Sequence, residues 1–183
     1  MCILIDGLYK KKLFISMIRK KNTIFAAAMT SMEALHIDMK AAVREDKPLK
    51  ITLSDDFFEG LEQDEILGGA LDVTLKASEV AGEIFKLRVH AEGKVRVQCD
   101  RCLDDMEVDV DTEDTLTIRP EADEAASDDD IRLLQPGTYV YDVAWDIYEQ
   151  VVLSLPIQRT HEEGQCNAEM LHRLEGLRPV SAF

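Results

Sequence analysis

The chain of 183 residues has no long hydrophobic run. The longest, residues 24–29, has six apolar residues, far below the roughly 20 that a bilayer-spanning helix needs, so no membrane span is expected. Cysteine is scarce: Cys2, Cys99, Cys102 and Cys166 are too few for a small disulfide-stapled scaffold, and a reducing, cytoplasmic location is the expectation. Basic charge is also short, with 21 Lys and Arg against 36 Asp and Glu and a formal net charge of −15. Most of such a surface repels phosphates, which argues against an all-over nucleic-acid binder but not against a local basic face. Missing too are a glycine-rich phosphate loop, a nucleophile elbow, a His-Glu-x-x-His helix and any Ser/His/Asp set. No enzyme activity and no small-molecule substrate are expected.

What is present is the composition of a soluble globular protein, 46% hydrophobic and 31% charged. Residues 1–28 stand apart. They carry Lys10, Lys11, Lys12, Arg19, Lys20 and Lys21 against Asp6, and without them the body has 15 basic and 35 acidic residues, a balance of −20. The apolar pieces at 13–18 and 24–29 are split by charge, which fits a secretory signal poorly. Two readings stay open for 1–31, a basic and disordered tail that binds an acidic partner or translated sequence ahead of a start at Met29 or Met32. A single domain over 32–183 is expected.

From residue 48 the chain alternates apolar and polar residues, the signature of half-buried strands. Residues 48–53 and 71–75 follow that period. Residues 55–61 read as a short helical turn ended near Gly60. Phe85, Leu87 and Val89 share one face, as do Val95, Val97 and Cys99, with a hairpin expected at 90–93. Met106, Val108, Val110, Leu116 and Ile118 continue the period of two. Between 104 and 130 lie 13 acidic residues against Arg119, and 120–130 reads as a mobile acidic loop. Past Asp142, an N-cap, the residues Val143, Ile147, Val151 and Leu155 line one helical stripe that Pro156 ends. Trp145 on that helix reads as a core or interface anchor. A last short helix is expected from Asn167 to about Leu174. The fold class is α+β: a curved antiparallel sheet of five or six strands, packed by the 142–155 helix and carrying the acidic loop as an insertion.

Two groups of residues carry chemistry. Cys99 and Cys102 leave a strand end at a two-residue gap that lets both thiolates bind one metal, and His161 and Cys166 follow the long helix. Together they would form a closed, structural zinc site pinning the last loop to the sheet; the bland alternative is reduced thiols packed near the core. Dithiol redox chemistry is disfavoured, because an acidic strand and not a helix N-terminus follows Cys102. The second group is Lys86, Arg88, Lys94, Arg96 and Arg101, gathered by the strand period on one surface where RNA phosphates could bind. No aromatic alternates with them, and Glu83 and Glu92 lie at the margins, so a solvated face of mixed charge is the alternative.

The run Val95-Arg-Val-Gln-Cys99-Asp-Arg-Cys102-Leu103 ahead of an acidic strand resembles the signature of the YceD family of bacterial proteins. So does the later order of Tyr141-Asp142, Leu153-Ser-Leu-Pro156 and His161-Glu-Glu-Gly-Gln-Cys166. The region of Asp55-Asp56-Phe57-Phe58 and the acidic insertion are similar to the Bacteroidetes branch. This resemblance, and not the charge pattern, implies a non-catalytic factor supporting large-subunit ribosomal RNA accumulation and large-subunit assembly. Its expected partner is ribosomal RNA or a basic ribosomal protein. From another class comes the alternative of a zinc-stabilised adaptor with no RNA role.

Overall fold

The computed structural model describes residues 35–120, 131–135 and 137–177. The expected basic extension at 1–31 and nearly all of the expected acidic loop at 120–130 lie outside the described residues. In chain order the elements are β1 (His36–Asp38), α1 (Met39–Glu45), β2 (Leu49–Leu53), α2 (Asp55–Gly60), β3 (Gly68–Ala81), β4 (Ile84–Gln98), β5 (Asp105–Pro120), β6 (Ile131–Leu134), β7 (Val140–Asp142), α3 (Ala144–Ser154) and α4 (Ala168–Leu177). Strands β2-β3-β4-β5-β6 form one sheet, and β1 pairs with β7 in a small second one. The architecture is α+β, with every pair in the large sheet antiparallel except β5–β6, which is parallel.

Alternation makes this sheet two-faced. Leu71, Val73, Leu75 and Ala77 of β3 and Phe85, Leu87, Val89, Ala91, Val95 and Val97 of β4 are buried on one side, while their neighbours are mostly exposed. Helix α3 packs on the buried side with the expected stripe, Val143, Ile147 and Val151 being fully buried and Leu155 partly so. The N-cap is Val143 and not the expected Asp142, which stands one residue earlier and accepts from the Ala144 N–H at 3.0 Å. Trp145 is half exposed and lies against Tyr148, so it is not a core anchor.

The expected hairpin at 90–93 does not exist. Strand β4 runs unbroken through these residues, and the reversal lies at Gly82-Glu83, both left-handed as a two-residue hairpin turn requires. Gly93 is extended with φ +145°, and a Cβ there would collide with the Ala70 carbonyl oxygen of β3. This glycine permits a close approach of two strands and makes no turn. Strands β1 and β6 and helix α1 are elements that the apolar period does not announce, being short and weakly patterned.

A buried polar cluster joins α3 to β6 and β7. The Asp146 carboxylate, nearly buried, accepts from Arg132 Nε at 2.7 Å and from the Tyr141 hydroxyl at 2.6 Å. Burial, then the bond to Asp146, raises the Tyr141 phenol well above its ordinary pKa.

Candidate functional site

The first site forms where β4 ends. The Cys99 N–H donates to the Asp104 carbonyl and the Leu103 N–H to the Cys99 carbonyl, both at 2.9 Å, closing a tight loop with Leu103 left-handed. That loop is tied to the segment after α3: Asp100 N–H donates to the Arg159 carbonyl, and Arg159 N–H to the Asp100 carboxylate, each at 2.7 Å. The Arg159 guanidinium bonds Glu65 at 2.6 Å and lies 3.7 Å from Asp100, so three separate segments meet at one cation. The bond to Glu65 and the nearby carboxylate charges outweigh burial and raise the Arg159 pKa. Asp100, Arg159 and Glu65 went unnoticed in the sequence, since 59 residues separate Asp100 from Arg159 and no local pattern links them.

This frame brings all four expected ligands together. Cys99, Cys102, His161 and Cys166 offer ligand atoms within 4.8 Å of one another, and the three cysteines are buried. Cys99 Sγ and Cys166 Sγ lie 3.9 Å apart; Cys102 Sγ and Cys166 Sγ lie 3.4 and 3.9 Å from His161 Nδ1. A tetrahedral zinc with arms of about 2.3 Å to sulfur and 2.0 Å to nitrogen has edges of about 3.5–3.8 Å, which these distances match. They are too long for a disulfide, and the three thiols are free. His161 Nε2 lies 3.3 Å from the Asp105 carbonyl oxygen, the orienting bond that presents Nδ1 to a metal. Burial alone would push the Cys99 thiol up. Backbone N–H groups of Cys102, His161 and Arg101 directed at its sulfur, with the Cys102 side chain, bring it down to about 6. Bonds to the Cys99 and Cys102 sulfurs raise His161, while burial first, then the neighbouring sulfurs, raises Cys166. Such a Cys₃His corner can hold a metal ion.

The second group lies on the outward face of the sheet. Lys86, Arg88, His90, Lys94 and Arg96 alternate along the single strand β4, and Arg101 is exposed in the turn between Cys99 and Cys102. The side chains on β4 are not a bare cationic row. Arg88 lies 4.0 Å from Glu113, His90 3.1 Å from Asp111, Lys94 3.7 Å from both Glu107 and Asp109, and Arg96 3.6 Å from Asp55. Strand β5 thus supplies carboxylates to Arg88, His90 and Lys94 of β4. Such exposed pairs contribute only about 0–1 kcal/mol each to stability, but they neutralise the face. Among the described residues, no helix is long and apolar enough to cross a membrane.

A family model described as large ribosomal RNA subunit accumulation protein YceD matches residues 87–178. That span runs from near the start of β4 to just past α4, and it includes all four members of the Cys₃His corner. Asp55-Asp56-Phe57-Phe58, on which the branch resemblance rests in part, lies outside it. The comparison with curated proteins and that with solved structures found no match. With the family model covering half of its length, the chain belongs to the YceD family.

Proposed function

We propose that this protein supports the accumulation of large-subunit ribosomal RNA as a non-catalytic cytoplasmic factor, and that it does so by holding a basic ribosomal protein. Membership of the family supports the first part. One observation carries the second: Arg88, Lys94 and Arg96 each face a carboxylate, so this row is neutralised toward phosphates while the body as a whole carries −20. Ribosomal RNA would meet β5's carboxylates beside every cation of that row except Lys86, and Arg96 also faces Asp55. A strongly basic protein would meet a complementary field.

Zinc fits the Cys₃His corner in a structural role. Four ligands fill a tetrahedron and leave no open position for a substrate or an activated water. Three sulfurs and one imidazole are soft or borderline donors, a set that favours zinc over magnesium or calcium. The ion would fasten the start of α4 to the end of β4.

The test uses cells whose own copy is replaced by variants, reading the ratio of large- to small-subunit ribosomal RNA. Changing Glu107 and Asp109 to lysine should lower the ratio, while changing Arg88 and Arg96 to glutamine should leave it near the parent value. The reverse pattern would move the function to RNA contact through Lys86, Arg88, Lys94, Arg96 and Arg101. A ratio that responds to neither pair would leave a zinc-stabilised adaptor with no RNA role.

A further inference from the structure

Strand β5 is 16 residues long, yet its neighbours cover it unequally. Strand β4 pairs with it without a register shift from Gln98↔Asp105 to Phe85↔Ile118. On its other side β6 pairs only with Thr117–Pro120. The direction of its backbone groups follows from the loop at its start. The Asp104 carbonyl accepts from Cys99 and so points toward β4. Backbone polar groups alternate sides along an antiparallel strand, so the odd-numbered residues turn theirs the other way. Asp105 agrees with this, its carbonyl lying 3.3 Å from His161 Nε2. The C=O groups of Glu107, Asp109, Asp111, Glu113 and Thr115 and the N–H groups of the first four therefore line an edge that no strand pairs with among the described residues, the Thr115 N–H being taken by the Asp114 carboxylate at 2.7 Å.

The same five residues turn their side chains to the outer face, and four are carboxylates with side chains 55–85% exposed. At one position the field is uncompensated by register, because Asp111 stands directly opposite Glu92. A groove of about 630 Å³ runs beside the start of this edge, between Asp105, Glu107 and Asp109 on one wall and Pro156, Gln158 and His161 on the other. Unpaired edge groups are a template for another strand, and charge decides which strand can use it. A second copy pairing here would set carboxylate against carboxylate. Cationic side chains at alternate positions would instead continue the β4–β5 charge ladder by one more strand.

We infer that the open edge of β5 from Glu107 to Thr115 binds an extended Lys/Arg-rich segment of a partner protein as an added sheet strand. The inference rests on the proposed basic partner and specifies where and how that partner is held. Backbone bonds supply register, and the acidic row selects the cationic strand.

The experiment uses the full chain, purified under reducing conditions, and a fluorescent synthetic decapeptide alternating lysine with valine. Anisotropy should report binding that weakens as salt rises, and replacing the peptide's lysines by glutamate should abolish it. Two N-methylated versions keep every charge and block the amides along one side of the peptide or the other. One version should bind about tenfold or more weakly, the other like the parent, because a strand offers only one side to β5. Equal binding by both versions would overturn edge pairing in favour of a diffuse electrostatic contact. Hydrogen exchange provides the second readout: the peptide should slow the amides of Glu107, Asp109, Asp111 and Glu113, and unchanged exchange would overturn the inference. Slow exchange without peptide, lost when Lys10, Lys11, Lys12, Arg19, Lys20 and Lys21 are all changed to glutamine, would make the chain's own basic segment the occupant and would equally overturn it. If the peptide fails to pair while the ribosomal RNA ratio still falls in the Glu107/Asp109 variant, the edge inference fails and the proposed function stands. Pairing with no response of that ratio separates the two in the opposite sense.

Discussion

Cys99, Cys102, His161 and Cys166 face one another across sub-4 Å gaps, and each must lose its proton before a metal can take it. The protein purified under reducing conditions is expected to carry about one zinc per chain, and His161→Ala with Cys166→Ser close to none. Elemental analysis checks both, and a parent protein free of metal would dispose of the zinc reading. With the Cys99 thiol near 6 and His161 raised above its ordinary value, protons compete for both ligands as the solution turns acid. The Cys166 thiol, held above its ordinary value, still carries its proton at neutral pH, so zinc affinity should fall continuously as pH drops through the neutral range and most steeply below about pH 6, as read by competition with a chelating dye. A pH-independent affinity would contradict binding through these thiolates. A different residue prediction concerns Gly93. Alanine there must displace the Ala70 carbonyl or leave its φ of +145°, so Gly93→Ala should cost about 1–3 kcal/mol in denaturant unfolding. An unchanged midpoint would mean that the strands do not approach as closely as described.

Elements divide into two packed groups, and this decides what metal removal does. The main core is built from sheet, α1, α2 and α3, whereas Cys99, Cys102 and Cys166 form a second cluster with Met170 and Leu171, Met106 packing against both. Chelation should accordingly release α4 and the segment ahead of it while the sheet persists, a local opening and not a global one. Hydrogen exchange should show fast amides in Ala168–Leu177 and slow ones in β3 and β4; uniform loss of protection would contradict the division. Asp146 offers a second test at this scale. Arg132→Leu leaves a nearly buried carboxylate with the Tyr141 hydroxyl but without the guanidinium, a loss of about 2 kcal/mol in unfolding free energy. Long strands and the α3 stripe were legible in the sequence because burial on one face imposes a period of 2 or 3.6. The four metal ligands were legible because a metal selects residue types by chemistry. What could not be read was pairing between distant segments: Arg159 with Asp100 and Glu65, Arg132 with Asp146, and the unpaired side of β5. The false turn at 90–93 has the same origin, since a glycine for close approach and a glycine for reversal look alike until the neighbouring strand is placed.

For the whole molecule, charge is the organising feature. The body carries −20, and among the described residues cationic β4 is answered by the carboxylates of β5, the strand whose other side is left as an open edge. Carboxylates along that edge discourage self-pairing and admit a basic strand, so one feature serves both solubility and recognition. The most direct measurement is capture of the tagged full chain from growing cells, with bound protein and RNA quantified together before and after nuclease treatment. The account predicts enrichment of a basic protein of the large subunit that survives nuclease, weakens with salt and is lost on changing Glu107 and Asp109 to lysine. Large-subunit ribosomal RNA retained without any ribosomal protein, and lost on changing Arg88 and Arg96 to glutamine, would contradict it.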